Sequence, residues 1–389
     1  MNNILKQKQR AFRELSLKIE NNFPFESKSQ LFEFYKRFQN YYKKLFNLPE
    51  NDRYFFLHLE KFLASFKNSH TRIGSYPSKV FFRPNNYQVI LVENKFLLKK
   101  SNKILGKILE IDNKTPKSIL KKNVERISSS TKQYSIRQAL NFLLSAWTNR
   151  SVNIKLRIGK KIKYLKIKRG KIKSKPIEKI VEHKILKNNI GYIKIRSWAN
   201  ENLLLQKLEN ILSLFIKRNI KFLILDVRGN GGGDSRIAQK FSSHFFNKKV
   251  LFSITKKRVL KSDIKLRKYL SFVKPKKPYL KIPIAILIDS ACFSSNEYFI
   301  AGMKDNKRAL LIGETTGGGS GNPKKFIIPY KNLSFELFIS SWIYYRPNGK
   351  PLEGLGVKPD IILRPTLNDT KLMKDIVFKK AITKASRML

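Results

Sequence analysis

Cysteine is nearly missing from this chain. Cys292 is the only one in 389 residues, which excludes an intrachain disulfide and any cysteine-based metal cluster. Long apolar runs are missing too: no stretch approaches the ~20 apolar residues of a membrane span. The first twenty residues carry Lys6, Lys8, Arg10, Arg13 and Lys18 without a signal-peptide core. The expectation is therefore a soluble, cytoplasmic chain without a transmembrane segment; a cell-envelope location would require a leader ahead of Met1. Acidic residues are scarce, with 27 Asp and Glu against 81 Lys and Arg and a formal net charge of +54. Such a charge invites a polyanion partner. The lysines, however, are spread over the whole length, and no zinc-finger spacing, basic zipper or RNP-like string accompanies them. Diffuse basicity without a specific nucleic-acid partner is the better reading, and long-range attraction should then favour acidic peptides.

What remains is ordinary globular material, 42% hydrophobic and 28% charged, long enough for two or three domains. Up to about residue 68 the pattern is helical. Leu31, Tyr35, Phe38, Tyr42 and Leu45 repeat at helical spacing, as do Phe55, Leu59, Phe62 and Phe66, with Pro49 expected to open the second of these helices. From about 86 to 175 short strands take over. Ile104–Asn113 reads as a strand ending in a turn, followed by a short helix near Ser118 to Asn123. The runs Val152–Ile158 and Ile162–Ile167 flank Gly159-Lys160 as a hairpin. From about 188 strands and helices alternate: a strand at Ile190–Ile195, a helix at Asn202–Lys217, and a strand at Lys221–Val227. A helix around Ile237–Phe246, a strand at Ile282–Ile288, a helix at Ser295–Met303 and a strand at Arg308–Ile312 continue the pattern, which is that of an α/β core with mainly parallel pairing. Residues 251–280 read as a basic surface insertion.

Three segments carry chemistry. Leu225-Asp226-Val227-Arg228-Gly229-Asn230-Gly231-Gly232-Gly233 runs from an apolar strand into glycines. Glycine lets several backbone N–H groups crowd around one anionic oxygen, although a plain tight turn would look the same. The Gly-Lys-Ser/Thr ending of a phosphate loop is absent, so no nucleotide is expected, and neither a metal nor another cofactor is implied. In Asp289-Ser290-Ala291-Cys292-Phe293-Ser294-Ser295-Asn296-Glu297 a buried strand gives way to a helix; taken alone, Ser294 with Glu297 is a capping box. The third segment is Asn68-Ser69-His70-Thr71-Arg72, where the helical region ends. The other histidines, His58, His183 and His244, read as surface or partly packed residues.

These segments, in this order, resemble the tail-specific (C-terminal-processing) serine protease superfamily, peptidase family S41, in the branch similar to the tricorn protease core. Met303-Lys304-Asp305-Asn306-Lys307-Arg308-Ala309, Ile312-Gly313-Glu314-Thr315 and Leu352-Glu353-Gly354-Leu355-Gly356-Val357-Lys358-Pro359-Asp360 extend the likeness. It is strong over about 188–364 and loose over Ile104–Leu120, which is similar to part of a PDZ domain.

The resemblance implies an α/β fold with a ClpP/crotonase-like catalytic core over 188–389, an N-terminal helical cap over 1–80 that contributes Ser69 and His70, and a small β-rich PDZ-like domain over 86–175. It implies an endopeptidase acting on unfolded or C-terminal segments. Ser294 would be the nucleophile, His70 the base, Ser69 a hydroxyl helper and Glu353 the acid completing a Ser-His-Ser-Glu relay. Gly231 or Gly232, with the N–H of Ser295, would form the oxyanion hole. A related branch uses a lysine base at the position of Gly319; no lysine stands there, and Lys324 and Lys325 follow too late. Peptides or unfolded proteins are the implied partners, and self-association into a homo-oligomer is left open. The alternative is a peptide- or lipid-binding protein without catalysis on the same fold.

Overall fold

The computed structural model describes residues 3–76, 81–171, 179–199, 203–259 and 264–388. Three helices come first: α1 (Asn3–Asn22), α2 (Lys28–Lys44) and α3 (Asp52–Ala64). Asn51, not Pro49, starts α3, because its side chain accepts the Arg53 N–H at 2.9 Å while residues 45–47 close a separate 3-10 turn. The Phe55, Leu59 and Phe62 stripe is fully buried as its spacing suggests, whereas in α2 the Leu31, Tyr35, Phe38 and Tyr42 stripe is only partly covered, with Tyr35 exposed and Phe34 buried in its place.

The cap is not helical alone. It packs on a three-stranded antiparallel sheet made by β1 (Arg72–Ile73), β17 (Leu333–Ile339) and β16 (Lys324–Tyr330), and Ile328, Leu337 and Ile339 join its core. Sequence periodicity cannot show that strands from the far end of the chain complete an N-terminal core.

A second unit is a five-stranded antiparallel meander: β3 (Tyr87–Val92), β4 (Lys95–Lys100), β5 (Lys103–Ile111), β6 (Val152–Ile158) and β7 (Lys161–Ile167). Its helices are α4 (Pro116–Val124), capped by Thr115, and α5 (Lys132–Leu140), capped by Thr131. The hairpin around Gly159-Lys160 is present, whereas α5 has no counterpart in the sequence reading. The short strands β2 (Phe82–Arg83) and β8 (Gly170–Lys171) pair at its border.

The third unit is a six-stranded sheet ordered β19 (Ile361–Ile362), β15 (Leu310–Gly313), β14 (Ile284–Ile288), β11 (Phe222–Asp226), β10 (Ile190–Ile195), β9 (Val181–Leu186). All pairs are parallel except β9 with β10. Because β9 precedes residue 188, the unit starts earlier than expected. The central strands are apolar on both faces, as strands covered by helices on both sides must be. Leu223 and Leu225 face α6 (Leu204–Lys217), α7 (Ser235–Ser242) and α8 (Ser295–Asp305); Phe222 and Ile224 face α10 (Ile376–Ser386). A short α9 (Leu367–Lys371) precedes α10. Asn202, the expected start of α6, lies outside the described residues.

The supposed surface insertion at 251–280 is a correction. It forms β12 (Val250–Arg258) and β13 (Leu266–Val273), which build a separate three-stranded sheet with β18 (Trp342–Tyr345). Phe252 and Val273 are buried in the main core. The adjacent basic residues Lys256, Lys257 and Arg258 and the pair Arg267 and Lys268, which put charge on both faces, masked the period-two pattern.

Candidate active site

The segment bearing His70 is held by its own neighbours before anything reaches the imidazole. Asn68 Oδ1 accepts the N–H groups of His70 (3.2 Å) and Thr71 (3.0 Å), the Thr71 hydroxyl (3.0 Å) and the Ser340 hydroxyl (2.7 Å). This turn fixes the backbone at His70, and β1 then pairs with β17 with Arg72 opposite Phe338. Asn68 was read only as part of the histidine segment; an asparagine closing a turn two residues on is the signal that marks it.

Ser294 arrives from the opposite direction. It lies between β14 and α8 with φ 57° and ψ −125°, a backbone conformation that non-glycine residues rarely adopt. The strain has visible restraints. The Ser294 N–H donates to Gly319 O at 3.0 Å and to Glu297 Oε2 at 3.3 Å. Gly232, with φ 107°, abuts the serine so closely that a Cβ on it would lie 2.8 Å from Ser294 Cβ. Releasing such strain is worth about 1–3 kcal/mol. Ser294→Gly is therefore expected to be about 1 kcal/mol more stable than Ser294→Ala in denaturant titrations. Equal stabilities, or a more stable alanine variant, would contradict a strained turn.

The two segments meet. His70 Nε2 lies 3.2 Å from Ser294 Oγ, across 224 positions of sequence. The imidazole is buried and stacks on Phe293, with ring centroids 4.8 Å apart and planes 14° from parallel. Tyr134 of α5 stacks on the other face of Phe293 at 4.4 Å and 10°. Neither Phe293 nor Tyr134 was singled out from sequence, since an aromatic beside a serine carries no spacing signal. Burial, with a smaller contribution from the Arg72 charge, pushes the His70 pKa down to about 3. The ring is thus neutral at ordinary pH.

Ser69 and Glu353 differ from the expected relay. Glu353 Oε1 accepts the backbone N–H of Ser69 at 3.1 Å, and Oε2 accepts that of Ser320 at 3.2 Å. Ser69 Oγ accepts the N–H of Ser130 at 3.2 Å. His70 Nδ1 is buried without a hydrogen-bond partner among the described residues. Glu353 therefore ties the 68–70 segment to the 316–321 loop and does not touch the imidazole. Glu353 keeps one edge open to solvent, yet burial still pushes its carboxyl up to about 8 against the pull of those two N–H donors.

The glycine segment also departs in one detail. Gly232 N–H donates to Asn230 Oδ1 at 2.8 Å, so its expected role as an oxyanion donor is taken up internally. The N–H groups of Gly231 and Ser295 make no hydrogen bond among the described residues, and Ser295 N is 3.0 Å from where a Gly232 Cβ would stand. Glu297, read as half of a capping box, does more. Its fully buried carboxyl accepts the N–H groups of Gly318 (2.7 Å) and Gly319 (2.9 Å) and the Thr316 hydroxyl. Burial raises its pKa to about 7, and these donors oppose the rise.

The remaining histidines and lysines lie outside this cluster. His58 and His244 are buried, not at the surface: His58 Nε2 contacts Tyr41 O at 2.9 Å, and His244 sits between Pro278 O (2.9 Å) and Glu209 (3.1 Å). A ring nitrogen that finds a carbonyl can be buried, which sequence position does not reveal. His183 is exposed on β9. Lys324 and Lys325 are exposed on β16, the latter paired with Glu336 at 3.0 Å. Among the described residues no cluster of His, Cys, Asp and Glu could hold a metal, and no helix is long and apolar enough to cross a membrane.

A cleft of about 660 Å³ opens at Ser294 between α7, α8 and the β12–β13–β18 sheet. A larger hollow of about 1080 Å³ lies between α3 and residues 124–135, away from Ser294. A buried base touching a strained serine at the mouth of a cleft can perform acyl transfer.

Residues 189–363 match the model of peptidase family S41. A carboxy-terminal-processing protease of Bartonella bacilliformis is 28% identical over 208 residues, covering 52% of this chain and 44% of that protein. The carboxy-terminal processing protease CtpB of Bacillus subtilis is 24% identical over 269 residues, covering 67% and 53%. The chain thus spans about half the length of these curated relatives. In three dimensions the crystal structure of mature CPAF superposes with a TM-score of 0.83 at 14% identity, covering 99% of this chain and 98% of that one. The photosystem II D1 C-terminal processing protease superposes at 0.54 with 16% identity, covering 96% of each. At such identities these two likenesses speak for the fold alone. The matched segment runs from β10 to β19 and so contains the parallel sheet, the glycine turn and the Ser294 elbow: over these residues the chain is similar to peptidase family S41.

Proposed function

We propose that this chain is a serine endopeptidase in which Ser294 is the nucleophile and His70 the general base. The observation that carries the reading is the 3.2 Å contact between His70 Nε2 and Ser294 Oγ. A cap needs no imidazole on its hydroxyl, and a binding protein needs no buried base beside a strained serine. In the reaction, Ser294 Oγ attacks the peptide carbonyl carbon while its proton passes to His70 Nε2. The oxyanion is held by the Ser295 N–H, at the positive end of α8, with Gly231 supplying the second donor. His70 returns the proton to the leaving amine, and water, activated by the same ring, releases the acyl group. Glu353 and Ser69 act as positioning residues: their bonds to Ser320 and Ser130 fix the backbone on which His70 sits. Peptides or unfolded protein segments are the proposed substrates, in keeping with the carboxy-terminal-processing relatives.

The test is active-site labelling. A fluorophosphonate probe should modify the native protein at Ser294, and neither Ser294→Ala nor heat-unfolded protein should react. Folded protein that resists the probe, while binding peptides with unchanged affinity after Ser294→Ala, would replace this reading with that of a non-catalytic binding protein. A comparison of peptide termini produced by the wild type and by Ser294→Ala would then identify the cleaved bonds.

A further inference from the structure

The cleft at Ser294 has a charge pattern of its own. In β12 every second side chain faces it: Ser253, Thr255 and Lys257. The antiparallel register sets Ser271 and Tyr269 of β13 opposite Ser253 and Thr255, and Tyr344 and Trp342 of β18 opposite Thr255 and Lys257. Most of this wall is hydroxyl and aromatic. Among the described residues the lining holds only three charged ones, Asp234, Arg236 and Lys257. Two of them cancel, for the Arg236 guanidinium grips the Asp234 carboxylate at 3.0 Å (Nε to Oδ1) and 2.7 Å (Nη2 to Oδ2). Lys257 has no carboxylate partner among the described residues. Its ammonium sits over the rings of Trp342, at 4.6 Å, and Tyr269, at 5.3 Å.

An ammonium held over aromatic faces loses its freedom to swing into bulk water. A peptide entering the cleft would displace solvent around it, which strengthens attraction to a carboxylate and repulsion of a cation alike. We propose that the cleft selects peptide segments bearing an acidic side chain near the cleaved bond, with Lys257 as the specificity-determining residue. The proposal rests on the peptidase reading for the word "cleaved", but not for the selectivity itself.

Net charge alone would draw in acidic peptides, so the test must separate a contact from a field. Lys256 provides the control: it neighbours Lys257 on the opposite face of β12 and contacts Glu26 at 3.5 Å and Tyr345 Oη at 3.1 Å. Fluorescent octapeptides in which one Glu, Gln or Lys is walked along an otherwise neutral sequence would be used twice: for binding to Ser294→Ala and for cleavage by the wild type. The Glu peptide is expected to bind and be cleaved on the order of 10-fold better than the Gln peptide at its best position. Lys257→Met should erase the difference, and Lys257→Glu should invert it in favour of the Lys peptide. Lys256→Glu, with the same change in net charge, should leave it standing at 150 mM salt. The inference is overturned if wild type shows no preference, or if Lys257→Glu and Lys256→Glu shift it equally. Labelling and cleavage without acidic preference would sink only this inference. Acidic preference in binding, with no labelling or cleavage, would sink only the peptidase reading.

Discussion

His70→Ala is expected to lower kcat for peptide hydrolysis on the order of 10⁴-fold or more, with fluorophosphonate labelling of Ser294 slowed in parallel and the far-UV circular dichroism unchanged. Among the described residues no other imidazole or lysine stands in for it: His58 and His244 are tied to carbonyl groups, and Lys324 and Lys325 lie exposed on β16. The pH profile adds a sign. Because burial holds the folded pKa at about 3, well under the ~6.5 of an exposed imidazole, the ring stays able to accept a proton as the solution is acidified. The acidic limb of kcat/KM should therefore lie below pH 6.5. The same displacement is destabilising in acid. Between about 6.5 and the folded value the unfolded chain takes up a proton that the folded chain refuses, so stability is present above 6.5 and is lost as pH falls. His70→Ala should flatten that slope in denaturant titrations at pH 5 and 7. Full activity in His70→Ala would dispose of the proposed base.

The second large effect belongs to Glu297. Its carboxyl receives four donors, the N–H groups of Ser294, Gly318 and Gly319 and the Thr316 hydroxyl, in a fully buried setting. Glu297→Ala strands three of them, since the Ser294 N–H keeps Gly319 O at 3.0 Å, at about 1–3 kcal/mol for each donor that water cannot reach. A loss of at least about 3 kcal/mol is expected, together with loss of Ser294 labelling, because the elbow and the 316–319 loop are joined through this group. Glu297→Gln, which keeps the shape but turns an amide nitrogen toward donors, should fall between. The measurements are a urea midpoint and a labelling rate on the same samples. A Glu297→Ala protein with wild-type values of both would reduce the residue to an ordinary helix cap.

The parallel sheet was legible because β11 and β14 are unbroken apolar runs, and only strands buried on both faces read that way. The helical cap was legible for the same kind of reason, in the spacing of Phe55, Leu59 and Phe62. Ser294, His70 and the glycine turn could be named from short motifs in order. What escaped was whatever depends on a partner distant in sequence. Nothing local in Leu333–Ile339 says that it will finish the cap, and nothing in Tyr134 says that it will stack behind His70's neighbour. The roles of Ser69, Glu353 and Gly232 shifted because a motif names a residue without saying which of its atoms makes the bond: here a backbone N–H of Ser69 meets Glu353, and the Gly232 N–H turns inward.

The pairing of β1 with β17 has a consequence for synthesis. His70 leaves the ribosome early and Ser294 much later, but the strand that seats the histidine segment, through Arg72 opposite Phe338 and Ile73 opposite Leu337, emerges later still. A nascent chain would hold both reacting groups while lacking the means to bring them together. On this reading the proposed reaction waits until Leu333–Ile339 has emerged to pair with β1.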